Sequence, residues 1–134
     1  MVVENYKVSE PEVQKMELFK LADFVLREQN APQVASINFV CQNDIQKLNK
    51  EYRGIDKPTD VLSFETDIEE DMGDIFICVD VARENAKKFN TSLEDELRLL
   101  VTHGMLHLCG YDHIDEKEAE VMEAEEDRCL KAAL

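Results

Sequence analysis

All three histidines of this chain lie within the eleven residues HGMLHLCGYDH, at positions 103–113. His103 and His107 are four residues apart, so on a helix their side chains share one face, with Cβ atoms about 5–6 Å apart. Gly110 can end that helix, because glycine adopts the left-handed C-cap conformation without a steric penalty. His113 can then turn back over the same face. Three imidazoles around one point, with a fourth position open, are the ligand set of a catalytic zinc ion.

The histidine spacing is that of the long zinc motif of metzincin peptidases. Those enzymes carry a glutamate, the general base, directly after the first histidine, whereas this chain has Gly104 there. A zinc peptidase or other metallohydrolase is therefore one alternative, without its usual base. A second is a non-enzymatic protein whose zinc is structural. The open fourth position speaks against it, because structural zinc sites are usually closed, unless Cys109 or Cys129 supplies the fourth ligand.

The segment 93–109 fits a helix with an apolar stripe beside the two histidines. At 100° per residue, His107 lies about 40° from His103, and Cys109 lies about 240° away, on another side. Gly104 falls on the inner stripe, where its missing side chain would let another element approach. The core stripe is predicted to comprise Leu93, Leu97, Leu100, Val101, Gly104 and Leu108, with Leu99 and Leu106 flanking the histidines.

Length and composition fit one domain over residues 1–134, with 44% hydrophobic and 34% charged residues. No apolar run is long enough to span a membrane, and residues 1–10 lack the apolar core of a secretory signal. The four cysteines form no CxxC pair, which suits reduced thiols in the cytoplasm. We therefore expect a cytoplasmic protein with no membrane partner.

The net charge is −15, which by itself disfavours nucleic acid, because phosphate contacts need clustered Lys and Arg. Acidic runs at 65–74 and 115–127 are interpreted as a solvated loop and a solvated helix face. The stretch 47–57 differs, since cations outnumber acids there. A local basic rim is therefore predicted from Lys47, Lys50, Arg53 and Lys57.

The element pattern predicts an α+β fold, with helices flanking a mixed sheet of about four strands. Strands are expected at 2–8, 34–41, 61–65 and 74–79, the first at an edge and the last two as a hairpin. Helices are expected from a capping box of Ser9 and Glu12 to about residue 26, and over 44–52. Three more are expected from caps at Asp80, at Thr91–Ser92, and at Asp115 with Glu118, the last ending near residue 130.

Two blocks carry a family resemblance. HGMLHLCGYDH at 103–113 resembles the H-G-x-L-H-L-x-G-Y-D-H signature of the YbeY family of bacterial rRNA-maturation endoribonucleases. YRGIDKPTDVLSF at 52–64 is similar to the family's Y-R-x-x-D-x-P-T-D-V-L-S-F segment, and Gly73-Asp74-Ile75 matches its G-D-I strand start. The blocks stand in the family's order, and the likeness covers nearly the whole chain.

The resemblance implies a cytoplasmic, zinc-dependent endoribonuclease for single-stranded RNA, with a compact zincin/metzincin-like fold. It implies a role in maturing the 3′ end of small-subunit rRNA and in ribosome quality control. By this likeness His103, His107 and His113 hold one zinc ion per chain, and Arg53 and His113 are the catalytic residues. The implied partners are single-stranded RNA, rRNA and the ribosome or its proteins, with no DNA and no membrane.

A mechanism follows for these residues. Arginine presents a permanently charged planar fork that matches phosphate, and zinc generates hydroxide near neutral pH. Arg53 would clamp the scissile phosphate while hydroxide either attacks phosphorus or deprotonates the 2′-OH, two routes that the sequence leaves open. Asp112 would either orient a histidine or cap the turn. Tyr111 is expected to pack, and Asp60 to anchor a turn.

Overall fold

The structure is a computed structural model, and it describes residues 1–31, 34–66 and 71–133. Residues 67–70, part of the predicted acidic loop, lie outside the described residues. In chain order the elements are β1 (Val2–Tyr6), α1 (Pro11–Gln14), α2 (Leu18–Glu28), β2 (Ala35–Val40), α3 (Gln42–Arg53), β3 (Val61–Glu65), β4 (Gly73–Cys78), α4 (Val79–Phe89), α5 (Leu93–Leu108) and α6 (Glu116–Ala132).

The four strands form one mixed sheet in the order β1-β2-β4-β3. β1 and β2 are parallel, as are β2 and β4, whereas β3 is antiparallel to β4 with Val61 opposite Ile77. The predicted α+β class, the edge position of β1 and the β3–β4 hairpin are therefore confirmed.

Side chains alternate between the two faces of the sheet along each strand, and each face contributes to a buried cluster. On one face, Ile37 and Phe39 of β2 and Ile75 and Ile77 of β4 are fully buried against the helices. On the other face a smaller cluster surrounds Ile45 of α3; its other buried members are Val40, Leu62 and Cys78.

The first predicted helix is two helices. No side chain caps α1, whose N-cap residue is Glu10, so the expected capping box of Ser9 and Glu12 is wrong. Glu17 then breaks the run with a left-handed φ of 50°. On one continuous helix Val13 would point away from the buried stripe around Leu18 and Val25. The break lets all three side chains reach the core, where each is at most 1% exposed.

The start of α4 also differs from the prediction. Asp80 does not cap it; Cys78, the last residue of β4, is the N-cap residue and offers no side-chain hydrogen bond. The strand runs directly into the helix, which leaves no separate capping position. Asp80 lies in the first turn, where its charge favours the helix dipole, and it forms an ion pair with Arg83. The predicted caps Ser92 and Asp115 do accept hydrogen bonds from Asp95 and Glu118.

α5 is the central helix and contacts α2, α4, α6, β3 and β4. It packs closely against the sheet at Gly104, where an added Cβ would lie 3.1 Å from Ile75 Cγ2. This confirms the prediction that Gly104 admits a neighbouring element. Of the two residues expected to flank the histidines, Leu106 is buried but Leu99 is 38% exposed. In the part of the chain that the structure describes, no helix is both long and apolar enough to cross a membrane.

A buried acid of α5 lies close to the carboxylate of Asp60, in the loop before β3. Glu96 is 8% exposed, and its pKa is raised, first by burial and then by the nearby Asp60 carboxylate. Asn85 of α4 hydrogen-bonds Glu96 and donates to Asp60 Oδ2 at 3.2 Å. Because the charged form of Glu96 is disfavoured in the folded protein, its ionisation lowers the stability of the fold.

We expect Glu96→Gln to become progressively more stable than the wild type as the pH rises. When folding raises the pKa of a carboxyl group, the stability that the group contributes is fully present at a pH below its unfolded pKa. This contribution is lost as the pH rises through its folded pKa. Urea unfolding between about pH 4 and about pH 8 measures the difference in free energy of unfolding. Glu94→Gln, on an exposed position of the same helix, is the control and should show little change with pH. A pH-independent difference for Glu96→Gln would contradict the prediction.

Candidate active site

The last turns of α5 and the turn after it bring the three histidines together. The ring centroids of His103 and His107 are 5.3 Å apart. The ring centroid of His113 lies 5.4 Å from that of His103 and 5.2 Å from that of His107. One nitrogen from each ring lies within 4.8 Å of the others. His103 and His107 are half-buried and His113 is exposed. The group has the donor set and proximity to hold a metal ion.

The turn that returns His113 to this face is built on Gly110, which has a φ of 100°. The Gly110 N–H donates to the carbonyl of His107, and the Tyr111 N–H to the carbonyl of Leu106, each at 3.0 Å. These two bonds form a Schellman motif and satisfy carbonyls at the end of α5. The predicted left-handed glycine at the end of this helix is therefore confirmed.

His103 has a carboxylate partner that the sequence analysis did not identify. Nδ1 of His103 lies 2.5 Å from Oε1 of Glu126, on α6. Glu126 is only 9% exposed, so the prediction of a uniformly solvated acidic face over 115–127 is wrong at this position. The signal was present in the sequence, because Met122 and Cys129 lie four residues before and three residues after Glu126, on the same helix face. Both are buried.

Tyr111 does more than pack. Its hydroxyl donates to Oε1 of Gln29 at 3.1 Å, and Nε2 of Gln29 donates to Oε1 of Glu125 at 2.8 Å. This chain of hydrogen bonds joins the turn before His113 to α2 and α6. Asp112 closes the turn locally, because its carboxylate accepts the N–H of His113 at 2.7 Å.

The electrostatics around the triad favour neutral imidazole at His107. Burial lowers its pKa, and the neighbouring His103 ring adds to the effect. A neutral imidazole is the form that binds a metal. The two cysteines considered as a fourth ligand do not belong to the metal-holding group formed by the described residues. Burial raises the pKa of Cys109 and of Cys129 to about 11, which disfavours the thiolate form that binds a metal.

The histidines form one side of an open groove of about 670 Å³. The other side comes from the end of α3, the following loop and β3. Its lining residues are Tyr52, Arg53, Thr59, Asp60, Val61, Leu62, Ser63, Phe64, His103, His107, Asp112 and His113. The second sequence block, 52–64, therefore lies opposite the histidine block.

Arg53 is the cation of this groove. It is exposed, and its side chain forms no ion pair or hydrogen bond within the described residues; Lys50 approaches Asp56 instead, at 3.9 Å. Lys47 and Lys57 are also exposed, but neither lines the groove. Of the predicted basic rim, Arg53 alone lines the groove that contains the histidines.

Asp60 acts as the expected turn anchor. Its Oδ1 accepts the N–H of Val61 at 2.8 Å, and its Oδ2 accepts from Asn85. Both bonds fix the loop where it enters β3. At the position where a zinc peptidase has its base, Gly104 packs against Ile75, so no carboxylate acts from there.

Comparison with known proteins places the chain in one family. The model of the family described as Endoribonuclease YbeY matches residues 3–133. This chain belongs to the YbeY family. The endoribonuclease YbeY of Staphylococcus saprophyticus is 41% identical over 125 residues, covering 84% of this chain and 82% of that protein. The Bacillus licheniformis endoribonuclease YbeY is 43% identical over 129 residues, covering 84% and 80%.

The fold is similar to a solved structure as well. The solution structure of TM1509 from Thermotoga maritima aligns with a TM-score of 0.72 at 30% identity, covering 98% of this chain and 87% of that one. The YbeY resemblance predicted from the two sequence blocks is therefore confirmed, and with it a family of endoribonucleases.

We expect Gly110→Ala to destabilise the fold by about 1–2 kcal/mol, because a side chain disfavours the left-handed backbone. An added Cβ at Gly110 meets no atom within 4 Å, so the cost is one of backbone conformation alone. Gly110→Asn should lose less, since asparagine tolerates this region better. Urea unfolding measures both. Equal losses for the two variants would mean that the backbone conformation at Gly110 is not the cause.

Proposed function

We propose that this chain, over residues 1–134, is a single-domain zinc-dependent endoribonuclease that cleaves single-stranded RNA. Membership of the YbeY family supports the endoribonuclease activity. The observation that carries the proposal is the meeting of three imidazoles and the unpaired Arg53 in one groove. That combination offers a metal and a phosphate-binding cation to the same substrate.

The three histidines fit a zinc ion. Imidazole nitrogen is a preferred zinc ligand, and three protein ligands with one open position are typical of catalytic zinc sites. In this proposal His103, His107 and His113 hold the metal, and His113 also faces the substrate because it is the exposed member of the group. A metal ion bound there would supply Lewis acidity and activate water.

Arg53 is proposed to bind the scissile phosphate. Its guanidinium has no protein partner among the described residues, so its donors are available to phosphate oxygens. Cleavage of a phosphodiester builds negative charge on those oxygens, and a fixed cation stabilises that charge. Analysis of the product ends distinguishes attack on phosphorus by water from attack by the 2′-OH. A 2′,3′-cyclic phosphate among the products would exclude direct attack by water as the only route.

Tyr52 offers a surface for a base next to that phosphate. Tyr52 is 61% exposed, and the centroid of its ring lies 4.8 Å from that of Phe64, with an angle of 59° between the ring planes. Both rings line the groove beside Arg53. Aromatic side chains stack on unpaired bases, and a base inside a duplex is not available for such contact. We propose that this contact favours single-stranded RNA.

The cellular role is proposed from the family resemblance: maturation of the 3′ end of small-subunit rRNA and ribosome quality control in the cytoplasm. The net charge of −15 opposes tight binding of free RNA, since one groove cation neutralises few phosphates. We therefore propose that the ribosome or its proteins bring the substrate to the groove. Binding of bare RNA is expected to be weak and to decrease with salt, with no DNA or membrane partner.

We expect Arg53→Ala to slow cleavage of an end-labelled single-stranded RNA by about 100- to 1,000-fold, because it removes a charge aimed at the transition state. Arg53→Lys should recover part of the rate, since lysine keeps the charge without the bidentate fork. The assay uses zinc-loaded proteins of equal metal content, and a chelator should abolish cleavage in the wild type.

Lys50→Ala is the matched control, because Lys50 is an exposed cation of the same helix that does not line the groove. Its cleavage rate should stay close to that of the wild type. If Arg53→Ala cuts as fast as the wild type, the activity comes from a contaminating nuclease or Arg53 has no role. If the wild type does not cut naked RNA, the same comparison is made on ribosomal particles.

We expect Tyr52→Ala to raise the KM for single-stranded RNA, since stacking on one base contributes about 1–3 kcal/mol. This corresponds to about 5- to 150-fold. Tyr52→Phe should resemble the wild type because it keeps the ring. Phe89→Ala, at a 62% exposed aromatic of α4 that does not line the groove, is the control. An unchanged KM for Tyr52→Ala would exclude the stacking role.

A further inference from the structure

Glu126 occupies a position where an unpaired acid would be costly. It lies between the buried residues Met122 and Cys129 on the inner face of α6 and is itself 9% exposed. Transfer of a carboxylate from water to such a position is unfavourable unless a partner compensates. Nδ1 of His103, at 2.5 Å, is that partner. The burial of Glu126 therefore depends on His103.

The same contact determines which nitrogen of His103 is free. A carboxylate accepts a hydrogen bond, so its presence at Nδ1 places the ring proton there. Nε2 is then the nitrogen with an available lone pair. A carboxylate on the far nitrogen of a metal-binding histidine also fixes the ring orientation and raises its basicity.

The neighbouring residue attaches α6 to the other end of the histidine segment. Glu125 accepts from Gln29 at 2.8 Å, and Gln29 accepts from the Tyr111 hydroxyl at 3.1 Å. Tyr111 lies two residues before His113. Two successive acids of α6 thus hold His103 directly and the turn of His113 through Gln29, although α6 supplies no histidine.

We propose that Glu126 is a positioning residue of the metal site, which fixes the tautomer and orientation of His103 from α6. The inference rests on the proposed function, because it concerns the site assigned there to zinc. It adds a residue outside both sequence blocks, 23 positions from the histidine that it contacts.

The first test measures zinc affinity in the absence of RNA, by competition with a chromogenic chelator. Glu126→Ala should bind zinc about 10- to 100-fold more weakly than the wild type. Glu126→Gln should lose less, because its amide oxygen still accepts from Nδ1. Glu123→Ala removes a carboxylate from an exposed position of α6 and should bind like the wild type. Equal affinity for Glu126→Ala and the wild type would overturn the proposal.

The second test reads the tautomer directly in the metal-free protein. In ¹⁵N spectra of imidazole-labelled protein, His103 should carry its proton on Nδ1 in the wild type and lose that preference in Glu126→Ala. Should the Ala variant fail to fold, as judged by circular dichroism, Glu126→Met gives the same reading, because methionine fills much of the space but offers Nδ1 no carboxylate acceptor. An unchanged tautomer in a folded variant would reject the positioning role.

The two measurements separate the two proposals. Wild type that binds no zinc, but whose His103 tautomer depends on Glu126, would refute the zinc proposal and support the contact between Glu126 and His103. Wild type that binds zinc, with Glu126→Ala equal to it in affinity and tautomer, would refute only the role of Glu126.

Discussion

The close packing of α5 against the sheet is the constraint on which the site depends. Gly104 leaves so little space to Ile75 that a Cβ there would lie 3.1 Å from a side-chain carbon of β4. Interiors packed this closely resist displacement. Since His103 precedes Gly104, the first histidine is fixed relative to β4. The hairpin partner β3 is fixed with it, and residues of β3 line the groove opposite the histidines.

Charge is distributed unevenly over this scaffold. The body is acidic, with a net charge of −15, yet the groove cation Arg53 has no carboxylate partner among the described residues. The two acids that line the groove with Arg53 make local hydrogen bonds: Asp112 holds its own turn, and Asp60 holds the start of β3. An unpaired cation beside three imidazoles makes this groove more favourable to an anion than the acidic composition of the chain alone would suggest.

Elements with strong local sequence patterns have the structure that those patterns predict. The strand character of β2, the apolar stripe of α5 and the cap at Ser92 are properties of neighbouring residues, and the structure has all three. The α1–α2 break did not follow from local pattern. Val13 and Leu18 both reach the core only because Glu17 adopts a left-handed backbone, and that choice depends on what the helices pack against. The start of α4 at Val79 depends in the same way on the strand that runs into it.

The sequence by itself determined the histidine cluster. His107 follows His103 by four residues, which is about one turn of helix. Gly110 then allows the chain reversal that brings His113 back. The geometry of the cluster therefore follows from the helical period and one glycine. Only the tertiary structure decided that Tyr52 shares a groove with that cluster and that Glu126 is buried against His103. Both depend on how separate elements pack. Whether an acidic side chain on a helix is exposed or buried depends on the neighbouring elements that cover it, and the sequence of the helix alone does not contain that information.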